Sequence, residues 1–169
     1  MERHVLSILV ENHPGVLARI SGLFSRRGYN IDSLSVGETE DPCLSRITVV
    51  VMGDADIIEQ IRKQVEKLVD VAEVIVLLPG ESVYRELTLI KVQANAKVRP
   101  EIVGIVEIFR ANIIDVAIES MTVEMTGDQE KISAFVELMA PYGVIEIVRT
   151  GLTAIQRGKA ALKEHEIKW

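Results

Sequence analysis

The sequence predicts an α+β protein in which one strand-helix-strand-strand-helix-strand plan is run twice. Three observations predict it. Apolar residues switch between strand and helix spacing in the same order in both halves. A Gly-Asp pair precedes the second helix of each half, as Gly53-Asp54 and Gly127-Asp128. The length, 169 residues, is room for two small domains of about 80 residues each.

His4–Glu11 opens the chain as a strand, with Val5, Leu6, Ile8, Leu9 and Val10. Asn12-His13-Pro14-Gly15 breaks it. Proline suits the first turn of a helix, where its missing N–H costs nothing, so a helix is expected from Pro14. Val16, Leu17, Ile20, Leu23 and Phe24 share its apolar face, Arg19, Ser21 and Arg26 point away, and Gly28 ends it. Asn30–Glu38 reads as a strand, Glu40-Asp41-Pro42 as a turn, and β-branched Ile47–Met52 as a third strand. Behind Gly53-Asp54, the spacing of Ile58, Ile61, Val65 and Leu68 makes a second helix. Val71–Leu78 is a fourth strand, closed by Pro79-Gly80.

The second half repeats this order: a strand over Arg85–Ala94, a helix over Pro100–Arg110, strands over Asn112–Ile118 and Ser120–Thr126, a helix over Asp128–Met139, and a strand over Val144–Arg149. Wording recurs as well, with Asn30-Ile31-Asp32 echoed by Asn112-Ile113-Ile114-Asp115. This order is the ferredoxin-like β-α-β-β-α-β unit, and two in tandem are expected. Two helices cover only one face of each sheet, and strands such as Val74–Leu78 hardly alternate. A second copy of the chain is therefore expected to bury the other face, as a homodimer.

Composition narrows the function. Nineteen Lys and Arg against 25 Asp and Glu leave a net charge of −6, the wrong sign for neutralising nucleic-acid phosphates. No apolar run approaches the ~20 residues of a membrane span, and no signal core follows the first residues, so a cytoplasmic protein is expected. Cys43, the one cysteine, lies in a polar loop without a base to activate it. His4, His13 and His165 show no metal-ligand spacing, so no metal site is expected. A catalytic protein using Asp32, Glu38 or Asp54 as acid or base lacks a convergent set of partners.

The informative stretch is Asn12-His13-Pro14-Gly15-Val16-Leu17. A helix start behind a glycine offers free N–H groups and a positive dipole end to a carboxylate or phosphate. The Asn12 amide could donate to a carboxylate or accept from an ammonium group. By spacing alone the same residues also read as a plain helix cap, Arg26-Arg27 as a solvated face and Asn30 as a strand start.

NHPGVLARISGLFSRRGYNIDSLSVGETEDPCLSRITVVV at Asn12–Val51 and KQVEKLVDV at Lys63–Val71 resemble the ACT domain of the small regulatory subunit of acetohydroxyacid (acetolactate) synthase. SVYRELTLIKV at Ser82–Val92, EIFRANIIDV at Glu107–Val116 and GVIEIVRTG at Gly143–Gly151 resemble the second half of that subunit. The resemblance implies an ACT effector-binding domain over 1–79, a second ferredoxin-like domain over 80–158 and a tail over 159–169. It also implies regulation rather than catalysis. The partner would be the large catalytic subunit, which carries thiamine diphosphate, Mg and FAD; no cofactor is implied in this chain. The effector would be valine, or leucine or isoleucine, held between Asn12, Gly15, Val16 and Leu17 of one protomer and Asn30 and Ile31 of its mate. A free-standing ACT sensor with a different enzyme or transcriptional partner is the alternative.

Overall fold

The computed structural model describes residues 2–162. Of the 159–169 tail, residues 163–169 lie outside the described residues. The chain divides into two units: Tyr84–Gly151 forms one, and the chain on either side of it forms the other. The boundary between the compact units lies at Val83/Tyr84, and the described residues from Leu152 on pack with the first unit.

In the first unit β1 (Glu2–Glu11), α1 (Val16–Arg26), β2 (Ile31–Glu38), β3 (Leu44–Gly53), α2 (Ala55–Val65) and β4 (Val71–Leu77) follow one another. The sheet is antiparallel in the order β2-β3-β1-β4, which leaves β2 as an edge. Alternation sorts the strands: Leu6, Ile8 and Val10 of β1 and Ile47, Val49 and Val51 of β3 meet Val16, Ile20 and Phe24 of α1 and Ile58, Ile61 and Val65 of α2. The opposite face carries Val5, Ser7, Leu9, Thr48 and Val50, all buried. A second copy was expected to cover this face. Part of the cover comes from the chain itself, through a short strand not foreseen from sequence, β9 (Thr153–Gln156), which packs against β4. Just ahead of it, the Leu152 N–H donates to Ser33 Oγ at 2.8 Å, and Leu152 and Ala154 are buried.

The second unit holds β5 (Ser82–Gln93, begun in the first unit), α3 (Arg99–Phe109), β6 (Asn112–Val116), β7 (Ser120–Gly127), α4 (Gln129–Met139) and β8 (Val144–Arg149). Its sheet order, β6-β7-β5-β8, matches that of the first unit. Its core joins Ile90, Val92, Met121, Val123 and Met125 to Ile102, Val106, Ile132, Phe135 and Met139. The repeat extends to irregularities: register shifts at Leu9/Val10 and Ile31/Ser33 recur at Lys91/Val92 and Ile113/Asp115. Each Gly-Asp pair also works alike, Asp54 accepting from the Ile57 N–H at 3.0 Å and Asp128 from the Lys131 N–H at 2.9 Å. No helix among the described residues is long and apolar enough to cross a membrane.

Candidate functional site: the first strand–helix junction

At the end of β1 the chain is tied on both sides. The Glu11 N–H donates to the Asp70 carbonyl at 2.9 Å and the Asn12 N–H to the Cys43 carbonyl at 2.8 Å. Asn12 Nδ2 donates to the Pro42 carbonyl at 2.9 Å, so one of the two N–H bonds of this amide braces the 41–43 loop. Cys43 itself is exposed.

The helix begins two residues later than expected, at Val16. Gly15 is its N-cap and takes φ +92°, a left-handed conformation that favours glycine, so Pro14 stays in the turn ahead of it. A glycine cap brings no side chain to the orphan donors. Among the described residues the N–H groups of Val16, Leu17 and Ala18 have no partner. Nothing lies within 4 Å of where a Gly15 Cβ would be, so the approach is open. Of the expected apolar contacts, the Leu17 side chain is exposed, whereas Val16 is buried in the core and offers only its backbone.

The three other long helices start differently. At α2 and α4 a carboxylate sits on the helix start, Asp54 and Asp128 each accepting one N–H, from Ile57 and Lys131. Ahead of α3, Asn95 Oδ1 accepts from the N–H groups of Lys97 and Val98, and its carbonyl accepts from Arg99. Pro100 has no N–H, and Glu101 donates to the Val98 carbonyl. This junction is the counterpart of the first, since Gln93 N–H donates to the Gly143 carbonyl and Ala94 N–H to the Glu119 carbonyl. A hollow of about 490 Å³ lined by Asn95, Glu119 and Tyr142 remains there, but its helix donors are used. Among the described residues, α1 alone of the four helices starts with three unpartnered N–H groups and no side-chain acceptor on them, the arrangement that suits an anion.

Beside the open start sits a charge cluster that sequence reasoning missed. Asp70, only 5% exposed, receives Arg19 Nη1 at 2.5 Å on one carboxylate oxygen and faces His13 Nε2 at 3.0 Å with the other. Glu11 Oε2 lies 3.3 Å from the same Nε2. These contacts raise the His13 pKa: the Pro14 carbonyl hydrogen bond contributes most, loss of water opposes it, and Asp70 and Glu11 add to it. Glu11, His13 and Asp70 come close enough to hold a cation between them, a grouping their sequence spacing hid. The signal that could have found it was the lone Asp70 in an apolar Leu68-Val69-Asp70-Val71 run, and Arg19, read as a solvated residue, is its partner.

Asn30 and Ile31 are not at this junction. Ile31 pairs with Val51 and Val51 with His4, whereas Glu38 pairs with Ser45 and Ser45 with Val10. The start of β2 is therefore at the far end of the sheet from Asn12, about 23 Å away for seven residues of strand. Asn30 is exposed and donates to Asp32 Oδ1 at 2.9 Å, and Ile31 packs partly on the core.

The family comparisons agree across both units. Residues 6–73 match the model of the "AHAS small subunit-like ACT domain" and residues 85–158 that of the "Small subunit of acetolactate synthase". A probable acetolactate synthase small subunit of Archaeoglobus fulgidus is 51% identical over 92% of this chain and 98% of its own length. That of Mycobacterium leprae is 50% identical over 92% of each chain. The crystal structure of the acetolactate synthase small subunit of Thermotoga maritima superposes with a TM-score of 0.88, at 46% identity, over 95% of this chain and all of that one. With both halves matched at this identity, the chain belongs to the acetolactate synthase small-subunit family.

Proposed function

We propose that this chain activates the catalytic subunit of acetolactate synthase and confers on it feedback inhibition by a branched-chain amino acid, in the first instance valine. It has no catalytic residues of its own in this reading. The large subunit binds thiamine diphosphate, Mg and FAD and condenses the 2-oxoacids, and both act in the cytoplasm. The observation that carries the reading is the uncapped α1 start, three unpartnered N–H groups behind an open Gly15, suited to the carboxylate of an amino acid.

The sheet register supports a site shared by two protomers. Within one chain Asn12–Leu17 and Asn30-Ile31 are at opposite ends of the sheet, and β2 is an edge with unpaired backbone groups. Antiparallel pairing of β2 with β2 of a second copy carries the start of one strand to the end of the other, the end that flanks Asn12–Leu17. Asn30 and Ile31 of the mate then supply the ammonium partner and an apolar wall, while the N–H groups of Val16, Leu17 and Ala18, reached past Gly15, supply the carboxylate donors. Asn12 acts here through its brace on the 41–43 loop. The match of the second unit to the same subunit favours this partner over that of a free-standing sensor.

The test is reconstitution. The purified chain alone is expected to form no acetolactate from pyruvate, to raise the rate of its cognate large subunit, and to make that rate sensitive to valine. Turnover by the chain alone, or a large subunit whose rate ignores it, overturns the reading.

A further inference from the structure

The cluster beside the α1 start bears on how that proposed effector site is set, and the inference rests on that reading. Both ring nitrogens of His13 face acceptors. Nδ1 lies 3.1 Å from the Pro14 carbonyl, and Nε2 lies 3.0 Å from Asp70 Oδ1 and 3.3 Å from Glu11 Oε2. A carbonyl and ionised carboxylates accept and do not donate. A neutral imidazole donates from one nitrogen and would turn the lone pair of the other onto an oxygen, whereas an imidazolium donates from both. Charge gives the same answer. Asp70 and Glu11 are balanced by Arg19 and a protonated His13, and a neutral ring would leave the buried Asp70 carboxylate sharing one cation with Glu11. A divalent cation among the same three groups would require the neutral ring and would leave the cluster with an excess positive charge, because Arg19 already holds one oxygen of Asp70.

We propose that His13 is a positioning residue of the effector site and acts as an imidazolium. Bridging Asp70 of one loop to Pro14 of another, it pins residues 12–15 so that the open N–H groups of α1 are presented to the effector carboxylate. Loss of the proton releases the pin, and the effector binds more weakly. Preorganisation of this kind acts by removing an ordering cost from binding. The charged groups that face the ring are Glu11 at the end of β1, Asp70 ahead of β4 and, across Asp70, Arg19 of α1. The sign follows from the raised pKa of the ring: the bridge is complete below the ordinary histidine value and is lost as pH rises through the higher folded value.

Two measurements on the full chain test it. The first is an NMR titration of the histidine rings, with His13→Gln assigning the resonance. The His13 midpoint is expected above the ordinary value of about 6.5 and lower in Asp70→Asn, or in Glu11→Gln should Asp70→Asn fail to fold. The second is calorimetric titration with L-valine between pH 6 and 9. Affinity is expected to fall by about 5-fold or more through the His13 midpoint, the low end of typical couplings, and to stay flat and weak in His13→Gln. A midpoint at or below the ordinary value, or an equal fall in His13→Gln, overturns the proposal. So does a midpoint that moves only when zinc is added or chelated, which assigns the cluster to a metal. Absence of valine binding at every pH overturns the effector reading itself, and a His13 midpoint that is still raised tells that failure from failure of the bridge.

Discussion

Replacing Gly15 with Asp sets the proposed sensing role against the folding role of one residue. Gly15 holds φ +92°, where a side chain costs about 1–2 kcal/mol, least for Asp and Asn. No atom lies within 4 Å of the new Cβ, so no steric term is added. A carboxylate at the first turn of α1 returns about 0.3–1 kcal/mol through the helix dipole. The net loss is therefore at most about 1.7 kcal/mol, a fall in Tm of no more than about 14 °C for a unit of this size. Binding is affected as well. Two carboxylates 4 Å apart repel by about 4 kcal/mol at an effective dielectric of 20. If solvent screens two-thirds of that, about 1.4 kcal/mol remains, or about tenfold in affinity. The new side chain also occupies the donors. The valine inhibition curve of the reconstituted enzyme is expected to move at least tenfold to higher concentration. Gly15→Asn, equally strained but uncharged, is expected to move it less. Activation is read in the same assay, because a variant that had unfolded would lose both responses. An unchanged inhibition curve for a folded Gly15→Asp would refute the placement of the effector at this helix start.

Two further predictions concern the helices capped by aspartate. Asp54→Ala and Asp128→Ala each remove the side-chain acceptor of a helix start, from Ile57 and Lys131 respectively. Each is expected to cost about 1 kcal/mol in chemical denaturation, and a loss below about 0.3 kcal/mol would count against the capping role. On α2, hydrogen bonding to Arg62, aided by Lys63, lowers the Glu59 pKa to about 2, against desolvation. Its contribution to stability is present above the ordinary carboxylate value and is lost as pH falls through about 2. The Tm difference between the wild type and Glu59→Gln should shrink between pH 5 and pH 2, and a difference constant across that window would contradict it.

Most elements were legible because their signals are local. Gly53-Asp54 and Gly127-Asp128 act at a range of three residues, and the spacing of Ile58, Ile61 and Val65 reports the buried side of α2 directly. What escaped depends on the backbone or on distant parts of the chain. Pro14 marked a helix start, but the start is set by Gly15 turning to positive φ, a torsion that composition does not record. The brace from Asn12 to the Pro42 carbonyl spans thirty residues, and the meeting of His13, Arg19 and Asp70 exists only once β4 is laid beside β1. Thr153–Gln156 is too short and too mixed in exposure to announce a strand. Of the residues named for the proposed site, Val16 is buried in the core and Asn12 spends one side-chain N–H on the Pro42 carbonyl, two placements that residue type alone does not reveal.

The contrast between the two strand–helix junctions has an evolutionary side. In the second unit Asn95, Arg99 and Pro100 close from within what α1 leaves open. A tandem copy that satisfies its own helix start needs no small molecule to complete it, and its fold can be inherited without the constraint of a pocket. Its surface then becomes free to diverge. Every residue of its β8 edge is exposed, with Val144, Ile145, Ile147 and Val148 among them. Redundancy of architecture thus lets one repeat keep its helix start open, as the proposed effector site requires, while its twin closes the same start with its own side chains.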